Sequence, residues 1–308
     1  MINRKLILVT VILSVVFVAV FLLSSRVPQR GAQSKRIQIV TSFYPLSHIV
    51  KGIGGNLVDV RNLVPAGVEP HDFEPSSRDL VEIGNADAIL YNGGVFESWV
   101  NKWEKGNSPR PKQKINMTES LISNETMLIT RDGVVDPHFW LDPIIMKKET
   151  EIVRDMFIKI DPLHRDLFTD NANRYIGTLS LLDERFRVGL SSCDLSEVVV
   201  LHEAYNYLAR QYNFTATSIS GISPDEEPSM KELARIISLV RAKGIQHIFA
   251  ETVASPKFSE LVAREVGATV LVLNPIESLT PDEVQSGQDY ISIMENNLNN
   301  LRIAMQCN

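Results

Sequence analysis

Short apolar, β-branched runs alternate with amphipathic segments along most of the chain. Strands are predicted at 36–43, 57–65, 87–94 and 126–130, with helical patterns between the first three. Strands that alternate with helices indicate parallel sheets in α/β layers. The same alternation restarts at "EVVVL" near residue 197 and continues to a closing helix, "DYISIMENNLNNLRIAM". The sequence therefore predicts an α/β protein with two lobes.

One long helix is predicted between these two blocks, from about Asp166 to Leu190. Its apolar residues recur at intervals of three and four, which is the period of a helix. They are Phe168, Ala172, Tyr175, Leu179, Leu182 and Phe186. A helix of about 25 residues is about 37 Å long and would act as a rigid connector. We therefore expect a first lobe at 37–160, a linking helix at 161–192, a second lobe at 193–308, and a cleft between the lobes.

The first 36 residues differ in composition from the rest of the chain. They contain six Lys or Arg and no acidic residue, and they include the apolar run Leu6–Leu23. A basic end followed by an apolar run is typical of an export signal, and 18 helical residues span about 27 Å, enough to cross a bilayer. We expect residues 1–36 to be an uncleaved anchor with a polar linker; the alternative is a cleaved signal. Either one places the remainder outside the cytoplasm.

The remainder carries 25 basic and 37 acidic residues, a balance of −12. This charge disfavours nucleic acid as a partner and is compatible with a cation as ligand. The chain has two cysteines, Cys193 and Cys307. Outside the cytoplasm an isolated pair is predicted to be bridged, although two separate thiols remain the alternative.

Three of the six histidines occupy a distinctive kind of position. His71 and His202 each follow a predicted strand, and His138 lies in the turn "VVDPHFWLDP". In open α/β sheets ligands bind beyond the carboxyl ends of the strands. Two of these histidines belong to the first lobe and one to the second, so they are expected to meet across the cleft. The other three are interpreted as surface or core residues: His48, His164 and His247.

Three imidazoles and one carboxylate complete the tetrahedron that Zn²⁺ prefers. Glu251 and Glu277 are the carboxylate candidates, because each follows a predicted strand in the second lobe. Phe139 and Trp140, in the same turn as His138, are expected to form an apolar wall that excludes water from the imidazole. Either Asp136 or Asp142 is expected to accept the proton of the second imidazole nitrogen.

Several segments, in their order and spacing, resemble the metal-binding proteins of bacterial ABC importers for zinc and manganese. The resemblance covers residues 37–308 and rests on "TSFYPL", "VEPHDFEPSSRD", "ILYNGGVFESW", "DPHFWLDP", "LHEAYNYLARQY", "FAETVASPKFSELVAREVGA" and "LNPIESLT". It implies two four-stranded lobes joined by a long helix, with one metal ion between them. It also implies that His71, His138 and His202 are the nitrogen ligands.

The resemblance implies Glu277 as the fourth ligand, with Glu251 in reserve. Many relatives have Asp where this chain has Asn274, whereas a zinc subset supplies Glu from a "PLE" segment, matched here by Pro275, Ile276 and Glu277. Histidine at position 202 suits Zn²⁺ better than Mn²⁺, which prefers oxygen.

The implied function is that of an exported, monomeric, non-enzymatic protein that captures Zn²⁺ and delivers it to an ABC-type permease. A manganese-binding importer component is the first alternative. A surface adhesin is the second, and an exported zinc hydrolase is the third. The hydrolase would need an open coordination position and a general base, and the chain has no HExxH motif.

Overall fold

Two four-stranded parallel sheets form the framework of the computed structural model, which describes residues 36–131 and 133–308. The first sheet contains β1 (Ile37–Thr41), β2 (Val58–Asn62), β3 (Ala88–Tyr91) and β4 (Gln113–Asn116), in the order β2-β1-β3-β4. A short antiparallel hairpin follows, β5 (Thr130–Arg131) and β6 (Val134–Val135). The second sheet contains β7 (Glu197–Val200), β8 (Thr215–Ser218), β9 (His247–Ala250) and β10 (Thr269–Val272), in the order β10-β9-β7-β8.

Helices connect the strands and cover the sheets. In the first half they are α1 (Tyr44–Gly54), α2 (Ser77–Asn85), α3 (Trp99–Lys105), α4 (Met117–Ser123), α5 (Pro143–Ile160) and α6 (Arg165–Gly189). In the second half they are α7 (Asn206–Tyr212), α8 (Met230–Lys243), α9 (Lys257–Val266), α10 (Pro281–Gln285) and α11 (Tyr290–Met305). The α/β class with two lobes, predicted from the sequence, is confirmed.

The long helix predicted between the lobes is α6. It has 25 residues, and five of the six apolar positions predicted to face inward are buried: Phe168, Ala172, Leu179, Leu182 and Phe186. It packs against α1, α5 and α11, so it contacts helices of both halves of the chain. Residues 37–308 form one compact unit. The boundaries at 160 and 192 remain predictions.

The prediction of a fourth strand at 126–130 is wrong. The fourth strand is β4, whose sequence "QKIN" is polar and whose residues are only partly buried or exposed, because it lies at the edge of the sheet. The more apolar segment "TMLIT" instead leads into the β5–β6 hairpin, and Leu128 and Ile129 pack against the core from outside the sheet. The apolar residues Leu128 and Ile129 are thus partly buried without pairing in the sheet.

The predicted membrane anchor, Leu6–Leu23, lies outside the described residues. Within residues 36–131 and 133–308, the structure contains no helix long and apolar enough to cross a membrane. The predicted cysteine pair is bridged: Cys193 and Cys307 form a disulfide across a sequence separation of 114 residues.

A carboxyl group is buried without a partner in the helical layer. Glu149 on α5 is fully buried, and neither of its carboxyl oxygens has a hydrogen-bonding partner in the described part of the chain. Burial raises the pKa of Glu149 from its ordinary value of 4.5 to about 8. The folded protein therefore holds this proton at neutral pH, whereas the unfolded chain has lost it.

Glu149→Met is accordingly expected to stabilise the metal-free protein by roughly 3 kcal/mol at pH 7. A raised carboxyl pKa means that native stability falls as pH rises from about 4.5 to about 8, so the gain of the variant should grow across that window. Urea unfolding at pH 5, 6, 7 and 8 would measure it. Glu151→Met on the same helix is the control, because Glu151 pairs with Lys148 at the surface. If the free energy of unfolding changed equally with pH in Glu149→Met and in the native chain, this account of Glu149 would be contradicted.

Candidate metal centre

Four side chains from different segments converge between the lobes. His71 lies in the loop after β2, His138 in the turn after the β5–β6 hairpin, His202 just after β7, and Glu277 in the loop after β10. One nitrogen or oxygen from each of these side chains lies within 4.8 Å of all the others. The structure thus brings together all four residues predicted as ligands.

Four of the six separations among these atoms are close to those of a tetrahedron around zinc. Oε1 of Glu277 lies 3.3 Å from Nε2 of His138, 3.3 Å from Nε2 of His202 and 3.5 Å from Nε2 of His71. The Nε2 atoms of His71 and His138 are 3.3 Å apart. Ligands held about 2.05 Å from a tetrahedral Zn²⁺ would be about 3.3 Å from one another. The donor set of three nitrogens and one oxygen also suits Zn²⁺ better than Mn²⁺.

These donors are buried and incompletely satisfied by the protein itself. The side chains of His138 and His202 are 0% exposed and that of Glu277 is 3% exposed. Nε2 of His202 and both carboxylate oxygens of Glu277 lack a well-oriented hydrogen bond to any described residue. Leaving buried polar atoms without partners is costly. A cation at the common centre would satisfy all of them.

His138 is oriented by a carboxylate that the opposite half of the chain holds in place. Asp136 Oδ1 lies 2.9 Å from Nδ1 of His138, which leaves Nε2 directed at the centre. Asn206 of α7 donates to the other oxygen of Asp136 at 3.0 Å, and the Tyr207 hydroxyl donates to the Asp136 carbonyl at 2.8 Å. The alternative partner, Asp142, instead caps the first turn of α5 by accepting from the backbone N–H of Ile144.

His202 has a carboxylate partner of its own. Glu251 Oε1 lies 2.6 Å from Nδ1 of His202, so the reserve candidate for the fourth ligand orients an imidazole instead. His71 is held differently. Its backbone N–H donates to Glu69 at 3.0 Å, and its Nδ1 makes no hydrogen bond to the described residues. His71 is therefore the least restrained of the three imidazoles.

Two aromatic rings line the site on the side of the first lobe. Phe96 lies 4.7 Å from the ring of His71, and Trp140 lies 5.3 Å from the ring of His138. Phe139, which was expected to share this role, packs against Tyr207 and Trp140. Trp140 also reaches the other half of the chain: its indole N–H donates to the Pro275 carbonyl at 2.8 Å, two residues before Glu277. The turn of His138 is thereby tied to the loop of Glu277.

Mutual electrostatics set the protonation of the metal-free site. Burial alone would lower the pKa of His202, but the charges of Glu251 and Glu277 raise it well above its ordinary value. Burial also opposes protonation of His138, but Asp136 and Glu277 raise its pKa. Burial would raise the pKa of Glu277, yet the imidazoles of His202 and His71 hold it well below its usual range. Protons on the imidazoles thus balance the carboxylate when no metal is bound.

Sequence reasoning named Asp136 as one of two possible partners of His138 but did not identify Asn206 and Tyr207, which hold Asp136 in place. Asn206 and Tyr207 lie in "EAYNYLARQY" and offered only a position shortly after His202 as a signal. Glu69 is a further carboxyl group near the site, where burial and the charge of Glu277 raise its pKa to about 9. His48, His164 and His247 lie elsewhere: in α1, in the turn before α6 and in β9.

Zinc binding is expected to release protons, and zinc affinity to rise steeply with pH. Zn²⁺ requires neutral imidazoles, whereas His138 and His202 have raised pKa values in the metal-free protein. Affinity should therefore increase by about one to two log units per pH unit while both imidazoles are protonated, and the increase should level off above their raised pKa values. Competition titrations from pH 6 to 8, and calorimetry in buffers of different ionisation enthalpy, would measure both effects.

Glu251→Gln is a matched variant for this experiment. Its amide oxygen can still accept from Nδ1 of His202, but the charge that raises the pKa of His202 is gone. The zinc affinity of Glu251→Gln should therefore rise less steeply with pH than that of the native chain. A native affinity that stays constant between pH 6.5 and 8 would contradict the protonation described above.

Comparison with protein families matches almost the whole described chain. The family of ZnuA proteins, described as the periplasmic component A of a zinc-uptake complex, matches residues 39–304. The zinc-binding protein AdcA of Streptococcus pyogenes is 33% identical over 320 residues, covering 98% of this chain. That match covers 61% of the relative, so the chain spans less than two thirds of its length.

A relative of similar size and a solved structure extend the comparison. The high-affinity zinc uptake system protein ZnuA of Bacillus subtilis is 32% identical over 289 residues, which is 91% of each chain. The crystal structure of the Zn(II)-bound ZnuA-like domain of Streptococcus pneumoniae AdcA superposes with a TM-score of 0.76 at 36% identity. It covers 88% of this chain and 99% of that domain.

Proposed function

The chain belongs to the ZnuA family of periplasmic zinc-uptake components, and on that premise we propose that it captures Zn²⁺ outside the cytoplasm and delivers it to an ABC-type permease. One observation carries the proposal. Three imidazole nitrogens and one carboxylate oxygen meet within 4.8 Å of one another in a buried site, and two of these four atoms, Nε2 of His202 and Oε1 of Glu277, have no hydrogen-bonding partner among the described residues.

In this proposal His71, His138, His202 and Glu277 hold the ion. Asp136 and Glu251 keep His138 and His202 in the tautomer that presents Nε2. Four protein donors complete the tetrahedron and leave no position for an activated water, so we propose no catalytic role. The same donor set supports zinc over manganese as the cargo.

We further propose that residues 1–36 keep the protein at the outer face of the membrane. The basic start and the apolar run Leu6–Leu23 support an uncleaved anchor, and cleavage of this segment is the alternative. Delivery would then require a permease in the same membrane. Mass determination of the membrane-bound and released forms in the native host would distinguish an anchored chain from a cleaved one.

The direct test is the metal content and competitive metal affinity of the full chain, purified in mild detergent without a histidine tag. The expected result is one equivalent of Zn²⁺, which Mn²⁺ in excess does not displace. Glu277→Ala should lose about tenfold to a thousandfold in affinity, because one of four ligands is removed. Preference for Mn²⁺ would contradict the choice of cargo, and absence of metal binding would contradict the proposed function as a whole.

A further inference from the structure

The loop that presents Glu277 contains a backbone conformation that its residue rarely adopts. Ile276, immediately before Glu277, has φ of 60°. The left-handed region is unfavourable for a β-branched residue, and it persists only where neighbouring contacts impose it. Ile276 is fully buried and is bounded by Pro275, whose carbonyl accepts from Trp140. A contact within this loop must therefore hold Ile276 in the left-handed conformation.

Asn274 supplies that restraint through its side-chain oxygen. Asn274 Oδ1 accepts from the backbone N–H of Ile276 at 2.7 Å and so closes a local turn around Pro275. Its Nδ2 donates to Glu283 Oε1 at 2.9 Å. Asn274 is 3% exposed, and both ends of its amide are engaged in the loop rather than with the metal-binding atoms.

The backbone of Asn274 is fixed as well. Its N–H donates to Asn297 Oδ1 at 2.8 Å, and its carbonyl accepts from Asn297 Nδ2 at 2.7 Å. Glu283 is held in turn, because its other oxygen accepts from the backbone N–H of Thr280 at the start of α10. Asn274 therefore makes hydrogen bonds to residues of two helices, Glu283 of α10 and Asn297 of α11. These bonds fix Asn274, which in turn restrains Ile276, the residue before Glu277.

We propose that Asn274 is a positioning residue for zinc capture: its amide holds Ile276 in the left-handed conformation and thereby directs the Glu277 carboxylate into the metal centre. The inference rests on the proposed function. An amide is required because the side chain must accept from Ile276 and donate to Glu283 at once. Aspartate at this position would face the Glu283 carboxylate at the distance of a hydrogen bond and could not donate to it.

The test compares Asn274→Ala with Asn300→Ala in the full chain, each with Glu277 present and in the Glu277→Ala background. Asn300 is the matched control, since it makes one side-chain hydrogen bond to the Val272 carbonyl, outside the 274–277 loop. The readouts are zinc affinity by competition and the visible absorption spectrum of the Co²⁺-loaded protein, which reports the ligands around the ion.

Asn274→Ala is expected to weaken zinc binding about tenfold to a hundredfold. Its Co²⁺ spectrum should shift toward that of Glu277→Ala, while Asn300→Ala should leave both readouts within about threefold of the native chain. In the Glu277→Ala background, Asn274→Ala should weaken binding less than about threefold further, because a residue acting through Glu277 has nothing left to position. An equal loss in both backgrounds, or no loss with Glu277 present, would overturn the proposal.

A swapped pair keeps the test decisive if Asn274→Ala does not fold. Asn274→Asp keeps the acceptor for Ile276 but loses the donor to Glu283, and adding Glu283→Gln restores that hydrogen bond with donor and acceptor exchanged. The double variant should regain an affinity within about threefold of the native chain, whereas Asn274→Asp alone should fall about tenfold. A double variant as weak as Asn274→Asp would refute the positioning role. Native protein without zinc affinity would instead refute the proposed function itself.

Discussion

Replacing both His71 and His202 with alanine is expected to weaken zinc binding by roughly 10⁴-fold while the chain still folds. Zn²⁺ held by four protein ligands binds with roughly 10–16 kcal/mol, so two ligands account for about 6 kcal/mol if the shares are equal. The variant removes one imidazole from each lobe: His71 from the loop after β2 and His202 from the end of β7. Competition against a chelator of known affinity would measure the change, and far-ultraviolet circular dichroism would establish that the variant is folded.

The matched control removes two imidazoles that lie outside the centre. His164 pairs with Asp161 at the start of α6, and His247 contacts the Thr269 hydroxyl on β10. His164→Ala combined with His247→Ala should leave zinc affinity within about threefold of the native chain. Tight zinc binding by the His71→Ala, His202→Ala variant would show that the ion is held elsewhere.

Loss of the disulfide is expected to be the largest single effect on stability. In the chain-entropy model a bridge that closes a loop of more than a hundred residues contributes about 4.7 kcal/mol. Cys193 and Cys307 are 114 positions apart in the sequence, and the segment between them includes the whole second sheet. Urea unfolding of the Cys193→Ser, Cys307→Ser double variant should show a free energy of unfolding lower by about that amount.

Zinc affinity should be nearly unchanged in the same variant. The bridge lies just past the carboxyl end of α11, whereas Tyr290 at the other end of α11 donates to the Trp140 carbonyl beside the metal centre. A helix of 16 residues is about 24 Å long, so the two features are well separated. The native chain treated with reductant is the control and should behave like the variant. Equal unfolding midpoints for oxidised and reduced protein would contradict the stability prediction.

The elements with strong periodic patterns could be predicted from the sequence. The length and buried face of α6 followed from apolar spacing, and β1, β2 and β3 followed from β-branched runs. Two edge strands did not follow. β4 and β8 have the mostly polar sequences "QKIN" and "TATS", whereas the other two edge strands, β2 and β10, carry the valines and leucine by which they were predicted. Hydrophobic patterns identify strands by their apolar residues, and β4 and β8 contain too few of them.

The candidate site divides in the same way. The convergence of His71 and His202 was predictable because each follows a parallel strand, and ligands bind beyond the carboxyl ends of such strands. His138 instead follows the antiparallel β5–β6 hairpin, which the sequence pattern did not predict. The role of Asp136 was not, since Asp136 and Asp142 stand in identical Asp-Pro pairs around the same histidine. Only the fold separates them, by placing Asp142 at the start of α5 and Asp136 beside Asn206.

Asp136 also links the occupancy of the centre to the arrangement of the lobes. One of its oxygens contacts His138 of the first lobe, and the other contacts Asn206 of the second. Binding equilibria that share a group are reciprocal. If separation of Asn206 from Asp136 weakens zinc binding, bound zinc must oppose that separation by the same factor. In the proposed function, a permease that separates these two residues would then lower the zinc affinity and, by the same linkage, bind the emptied protein more tightly.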